Sequence, residues 1–424
     1  MFGIFTYRKP INYIILINLL AYTYIFYNMK LYKFDTLALG FGVILLLCTA
    51  YCIILKGRLG DEYLFLIVSM LLSIGIIMIY RLDNGIGIRQ AVWMAIGIAM
   101  FILSCQIFRW FKRWEQLAVY YMVAAVFLYL ITLIFGRNIN GATNWIIIKG
   151  QSFQPLEISK ILYIFFLACY FRKPDRLFFE NSKYTKPMKL RLNRMTLVGF
   201  TFLNIGFLML QREWGSIILI SLIYIVVLYV FGKDKLFYFF NVVFAIPIAL
   251  FGYFFVHHIK VRIDTWLNPW ADIAGKGYQI TQSLFAISSG GYFGTGIGLG
   301  RPDLVPAVNT DFIFSAICEE MGVLTGVAVI LLYMMLTYRG LKIVIKVRNG
   351  FNKVLGFGIT TMLGLQTFII IGGVIKLIPL TGITLPYISY GGSSLLSSFV
   401  ILGILQAISK DDFADMDGEI NEGE

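Results

Sequence analysis

The side chains best placed for chemistry are acids standing where polar loop gives way to apolar helix. Asp311 closes the tripeptide Asn309-Thr310-Asp311, directly before the apolar run FIFSAI. A carboxylate at a helix start gains up to about 1 kcal/mol from the helix dipole whatever else it does. Partly desolvated, its pKa would rise toward neutrality and it could act as a general base. Glu157 occupies the same kind of position two residues after Pro155, and Lys160 follows on the same helical face. As a simple ion pair these two contribute about 0.2–0.5 kcal/mol. An acid and a base at the edge of an apolar span are also functional-site candidates by default. Glu319 and Glu320 fall two turns or more into the apolar stretch that follows Asp311, where carboxylates need partners or a water-filled cavity. Arg212 and Glu213, in LQREWGS, read equally well as an interfacial ion pair. The string SSGGYFGTGIGLGRPD has GxGxxG-like spacing but follows no strand and opens no βαβ unit, so it reads weakly as a dinucleotide site. Its glycines suit close backbone approach to another segment, or to a phosphate through backbone amides. His257 and His258 are adjacent, cannot share a helix face, and do not read as a metal site.

The elements that must hold these groups are apolar helices. Of 424 residues, 59% are hydrophobic and 14% charged, and the mean hydropathy is +0.79. This excludes an ordinary water-soluble domain and points to a polytopic membrane protein. The net charge of +13 comes from Lys and Arg in short loops between spans, which is a topology signal and argues against a nucleic-acid partner. The five cysteines, Cys48, Cys52, Cys105, Cys169 and Cys318, lie in apolar runs without metal or disulfide spacing and read as small hydrophobes. The N-terminal apolar run has a basic flank but no small-residue cleavage site, so it is expected to remain as the first span.

Counting apolar runs of bilayer length gives an all-α fold of about twelve transmembrane helices, with one large ordered extracellular loop. The spans are predicted near 11–28, 37–55, 63–80, 90–108, 118–135, 156–171, 195–210, 215–231, 236–256, 311–338, 354–378 and 384–408. The basic stretches 172–194 and 339–353, the cluster Arg109, Lys112 and Arg113, and the N-terminal Arg8 and Lys9 then share one side. That puts both termini in the cytoplasm and loop 257–310 outside. The loop carries Lys260, Arg262, Lys276 and Arg301 against the charge rule, and basic residues there could meet an anionic head group. Its aromatic content argues that it is folded. Segment 136–155 is too polar to span, and 379–394, with its prolines and glycines, reads as a broken helix lining a cavity. The acidic tail 411–424 reads as a disordered cytoplasmic end.

Several motifs, in order, resemble one family. Asn268-Pro269-Trp270, Gly277-Tyr278-Gln279, Gln282-Ser283, Ser289-Gly290-Gly291, Thr310-Asp311-Phe312-Ile313-Phe314 and Glu319-Glu320-Met321-Gly322 are similar to the shape, elongation, division and sporulation (SEDS) family of RodA, FtsW and SpoVE. Gly141-Ala142 with Trp145, Gln154-Pro155 with Glu157 and Lys160, and Pro386 with Ser389-Tyr390-Gly391-Gly392-Ser393-Ser394 extend the resemblance. It covers a core of residues 61–410, leaving two additional N-terminal helices in 1–60. The resemblance implies a peptidoglycan glycosyltransferase that polymerises lipid II at the outer face of the bacterial cytoplasmic membrane. A class B penicillin-binding protein would cross-link the product. By position, Asp311 matches the essential aspartate, the base for the acceptor hydroxyl. Glu157, Lys160, Trp145, Gln154, Arg301, Ser393 and Glu319 are the implied substrate-binding residues. The chain departs from the family at Asn144, where Arg is common, at Asn309, where His is common, and at Arg212-Glu213, where Pro-Asp is common.

The reaction so implied needs a proton acceptor, Asp311, and positive charge at the departing pyrophosphate. Arg301, Lys149, Lys160 or a divalent cation such as magnesium or manganese are the candidates for the second role. Two other classes fit a polytopic chain with intramembrane acids: a flippase for a lipid-linked precursor, and a non-catalytic scaffold for a penicillin-binding protein. The first is disfavoured because no internal repeat is visible and the polar chemistry gathers on one face. The second would leave function intact in Asp311→Ala.

Overall fold

A computed structural model of the chain describes all residues except 1–8, 29–32, 140–141, 149–150, 175–176, 179–182 and 422–424. The order is α1 (Pro10–Asn28), α2 (Lys33–Gly57), α3 (Glu62–Leu82), α4 (Asn84–Trp110), α5 (Ala118–Phe135), β1 (Arg137–Ile139), β2 (Ala142–Ile148) and β3 (Gln151–Phe153). There follow α6 (Leu156–Arg172), α7 (Lys186–Leu210), α8 (Trp214–Phe231), α9 (Lys235–Phe255), α10 (His257–Leu267) and α11 (Tyr278–Gly290). The chain closes with α12 (Ile313–Met321), α13 (Val323–Lys346), α14 (Gly350–Val374) and α15 (Gly392–Asn421).

Among the described residues ten helices are long and apolar enough to cross a membrane: α1 to α5, α7, α8 and α13 to α15. The chain is a multi-pass membrane protein. The count of about twelve also includes α6, an apolar helix of 17 residues, and α9, in which Lys235–Phe244 is a shorter apolar run. Segment 136–155, expected only to be too polar to span, folds as a small antiparallel sheet in the order β1-β2-β3. Its β2–β3 hairpin pairs Ile146 with Phe153 and Ile148 with Gln151. Helix α15 runs on to Asn421, so the acidic stretch expected to be disordered continues as helix to that point.

The chain divides into two compact units. One comprises residues 1–105, 261–339 and 366–414; the other comprises 106–260, 340–365 and 415–424. In the first, α3 is the axis and is buried on nearly every side. Its window EYLFLIVSMLLSIGIIMIY is apolar all round, as a helix enclosed by other helices must be. Helices α1 and α2 pair with each other and pack on α3, and α12 packs on it from elsewhere. In the second unit α5 packs on α6 and β2, and α7 on α8.

The predicted span 311–338 is two helices. Gly322 breaks it with φ +87°, a left-handed backbone that side chains disfavour. A Cβ at Gly322 would stand 2.3 Å from the Tyr292 carbonyl oxygen and 2.6 Å from the Gly294 nitrogen. The break lets the glycine-rich loop run backbone to backbone along the end of α12. Thr295 N–H donates to Glu319 O at 2.9 Å, Gly296 N–H to Glu320 O at 3.0 Å and Val323 N–H to Gly291 O at 2.9 Å. Glu319 and Glu320, about two turns into α12, therefore sit at the C-terminal end of a nine-residue helix that is not itself a span.

The predicted span 384–408 begins only at Gly392, because 379–391 is irregular backbone. Its polar groups are taken up by protein, the condition for non-helical chain in an apolar bundle. Gln366 Nε2 donates to Thr384 O at 2.9 Å, Tyr387 OH to Ser398 O at 2.8 Å, and Leu385 N–H to Ser389 Oγ at 2.9 Å. Tyr333 OH donates to Pro386 O.

Gly322→Ala should lose about 2 kcal/mol or more from the strained φ and the backbone clash together. Thermal unfolding in detergent, compared with Gly42→Ala, whose added Cβ meets nothing within 4 Å, checks this; equal melting of the two variants would contradict it.

Candidate active site

The backbone ahead of α12 is held before any side chain acts. Thr310 N–H donates to Ala307 O at 3.1 Å, closing a tight turn. Phe312 and Ile313 are almost wholly buried, which anchors the first turn of α12. The two carbonyls preceding Asp311 are then bound across the unit: Asn309 O accepts Tyr390 N–H at 2.9 Å, and Thr310 O accepts Ser389 Oγ at 2.6 Å. Ser389 is itself held by Gln90, whose Nε2 donates to its carbonyl at 3.1 Å.

Opposite stands Arg262 of α10. Its Nη1 donates to Thr381 O at 2.8 Å and to Leu380 O at 3.2 Å. Trp266, one turn on, donates Nε1–H to Lys376 O at 3.1 Å, so α10 is tied to the same irregular segment at two levels. Between acid and base lies Gly382, φ +76°. A methyl group there would be 3.6 Å from Asp311 Oδ2 and 3.7 Å from Arg262 Nη2. Glycine leaves open the space between a carboxylate and a guanidinium.

Asp311 is half-buried. Burial pushes its carboxyl up to about 6, with the Thr310 hydroxyl and the Arg262 charge pulling the other way. The group is thus ionised near neutrality yet basic enough to take a proton. Unspent hydrogen-bonding capacity lies nearby in the chain: Asn309 Oδ1 and Thr381 Oγ1 are buried without a partner. Ser393 Oγ, in the first turn of α15, is another such atom.

Glu319 and Glu320 serve the glycine-rich loop. Glu319 Oε1 accepts the Arg301 N–H at 2.7 Å, and the Arg301 side chain is exposed. Glu320 Oε2 accepts the Gly298 N–H at 3.2 Å. Its Oε1 lies 2.6 Å from Arg81 Nη2, an ion contact by distance that lacks hydrogen-bond alignment. Arg81 Nη2 also donates to Gly300 O at 3.0 Å.

The remaining predicted residues belong to the second unit. Lys160 Nζ pairs with Glu157 Oε1 at 2.8 Å, and both side chains are buried in the first turns of α6. Pro155 precedes that helix, and Gln154 O accepts the Glu157 N–H at 3.1 Å. Trp145 lies on β2 opposite Arg137. Its neighbour Asn144 is 2% exposed, with Oδ1 buried and without a partner. Lys149 and Gly141 lie outside the described residues.

No three His, Cys, Asp or Glu side chains converge among the described residues. Asp311 faces a guanidinium, and Glu157 is engaged by an ammonium. Such donor sets do not fit a divalent ion. Sequence reasoning marked Arg262 only as a loop cation on the wrong side of the charge rule, and passed over Gly382 as one glycine of a broken helix. Both roles depend on segments about 50 residues or more away in sequence.

Residues 61–413 match the family model described as cell cycle protein, FtsW/RodA/SpoVE. The chain belongs to this family. Among its relatives, the peptidoglycan glycosyltransferase RodA of Mycobacterium tuberculosis is 37% identical over 367 residues, covering 82% of this chain and 78% of the relative. Stage V sporulation protein E of Bacillus subtilis is 34% identical over 377 residues, covering 84% and 98%. Among solved structures, the rod shape determining protein RodA of Thermus thermophilus matches with a TM-score of 0.57 at 25% identity, over 84% of this chain and 98% of that one. A chain from a peptidoglycan synthase complex that coordinates polymerization and crosslinking matches with a TM-score of 0.64 at 25% identity and the same coverage. The FtsW/RodA/SpoVE match includes Asp311, Arg262, Gly382 and the glutamates of α12, and it leaves out α1 and α2.

Removing the guanidinium removes a cation that favours the charged carboxylate. Arg262→Gln should therefore raise the midpoint of Asp311 above about 6. Infrared difference titration of the carboxyl band, with Asp311→Asn as blank, reads this; a midpoint that falls or stays would contradict the pairing.

Proposed function

We propose that this chain is a peptidoglycan glycosyltransferase that polymerises lipid II at the outer face of the bacterial cytoplasmic membrane. The observation that carries the reading is Asp311, a carboxylate raised to about 6 by burial, set across a glycine gap from Arg262. The relatives named as peptidoglycan glycosyltransferases supply the reaction class. In the reaction a sugar hydroxyl of the acceptor attacks the anomeric carbon of the donor. A carbon–oxygen bond forms there as the bond to the lipid pyrophosphate breaks. The hydroxyl proton passes to Asp311, and the electron pair leaves with the pyrophosphate. Arg262, already oriented by two carbonyls, is the cation best placed to meet developing negative charge in this unit, with Arg301 a second. Preorganised charge of this kind needs no rearrangement as the reaction proceeds.

In this reading Asn309, Thr381 and Ser393 offer their unspent polar atoms to sugar hydroxyls. Glu157, Lys160, Trp145 and Gln154 are substrate-binding residues of the second unit, and Glu319 acts by holding Arg301. Both termini lie in the cytoplasm and the 257–310 loop lies outside. A class B penicillin-binding protein is the partner that cross-links the product, a reading supported by the fold likeness to a chain of a polymerization and crosslinking complex.

Polymerisation of purified lipid II by the solubilised protein, with and without the partner, tests this. Asp311→Asn should lose about 100-fold or more in turnover, the scale of general-base catalysis, with folding retained. In the wild type only the ionised carboxylate can accept the proton, so activity is expected to fall as pH drops through about 6. Equal polymer from wild type and Asp311→Asn would remove Asp311 from the mechanism. No polymer from either, with partner present, would shift the reading to a flippase or scaffold.

A further inference from the structure

The family match begins at residue 61, so α1 and α2 stand outside it. They are nonetheless built into the first unit by specific bonds to α3. Asn18 Nδ2 donates to Ser73 Oγ at 2.7 Å, Thr36 Oγ1 and Tyr80 OH share a hydrogen bond of 2.9 Å, and Tyr51 OH donates to Glu62 Oε2 at 2.6 Å. Lipid can replace an apolar contact between helices at little cost, but it cannot replace a buried hydrogen bond. These bonds therefore set the register of the hairpin on α3.

That register brings Tyr22 and Ile25 of α1 against Ile77 and Tyr80 of α3. Ile297 of the glycine-rich loop and Met321 at the end of α12 pack onto the same cluster. The loop reads Gly294-Thr295-Gly296-Ile297-Gly298, and all three of these glycines have positive φ. So many glycines give the loop little intrinsic order. Its order must come from contacts, and Ile297 is the one large apolar side chain between Gly294 and Gly298. On the far side of the loop the backbone ladder to Glu319 and Glu320 leads directly into α12, whose first turn follows Asp311.

We propose that the α1–α2 hairpin is a positioning module for the glycine-rich loop. Tyr22 and Ile25 form the seat for Ile297 and Met321, and so hold Gly294–Arg301 and the end of α12 in the arrangement that Asp311 requires. The catalytic consequence rests on the proposed glycosyl transfer; the structural one does not.

The test uses the full-length protein in detergent. Amide hydrogen exchange and lipid II turnover are compared among wild type, Tyr22→Ala/Ile25→Ala, Tyr22→Phe and the control Leu19→Ala on the exposed face of α1. In the double variant, exchange of Gly294–Arg301 is expected to speed up by about tenfold while α8 keeps its protection, the pattern of a local opening. Its kcat should fall at least fivefold with KM little changed. Tyr22→Phe should behave as wild type, because the Tyr22 hydroxyl is buried without a partner. Unchanged exchange in 294–301, or an increase spread evenly over the chain, would overturn the proposal. So would faster loop exchange with unchanged kcat. If the double variant does not fold, Ile297→Ala probes the same contact from the loop side, and unaltered loop exchange there is equally fatal. Exchange is read without substrate, so a wild type that polymerises nothing would defeat the proposed function and leave the exchange result standing.

Discussion

Chain that departs from helix inside an apolar bundle must find its hydrogen bonds within the protein, and in the first unit the irregular segments 307–312 and 379–391 meet that need for each other. Asn309 and Thr310 give their carbonyls to Tyr390 and Ser389. Leu380 and Thr381 give theirs to Arg262. The carboxylate and the guanidinium are by-products of the same satisfaction, each delivered to the edge of the Gly382 gap by backbone that has no other place to bond. The raised pKa of Asp311 follows from enclosure, opposed first by the Thr310 hydroxyl and then by the charge of Arg262.

The same rule explains why two adjacent glutamates can be buried at the end of α12. Each accepts a loop amide, Arg301 for Glu319 and Gly298 for Glu320, and Glu320 also meets Arg81. Hydrogen bonds to charged groups are worth about 1.5–3 kcal/mol each, enough to offset much of the cost of burying a carboxylate. Burial pushes Glu320 upward all the same, with Arg81 opposing it. The glycines are the counterpart of the glutamates: only a loop without side chains can bring its amides so close to a helix end. Arg301 is held there through its backbone N–H, and its side chain is exposed.

In the second unit the Glu157–Lys160 pair poses the opposite case. A buried ion pair contributes little net stability, because desolvation of both charges offsets their attraction. The pair sits in the first turns of α6, which follows in sequence directly on the small sheet that carries Trp145 and the under-bonded Asn144. The Asn144 side-chain oxygen is buried without a partner.

Apolar run length was enough to read a polytopic helical membrane protein, because a bilayer demands about 20 apolar residues per crossing and soluble folds do not. It was also enough to single out Asp311, Glu157 and Lys160, since charge at the edge of such a run is costly and rare. The breaks escaped it. Gly322 splits a continuous apolar stretch into α12 and α13, and the residues around it look as helical as their neighbours until Tyr292 and Gly294 arrive against them. The sheet at 137–153 was likewise invisible: β1 and β3 have three residues each, and β2, ATNWIII, does not alternate apolar with polar residues. Arg262 and Gly382 acquire meaning only when α10 docks on the segment after α14, a contact between positions about 120 apart in the chain. Local pattern reports which residues are out of place in lipid; which partner makes each of them tolerable is decided by the packing of distant segments.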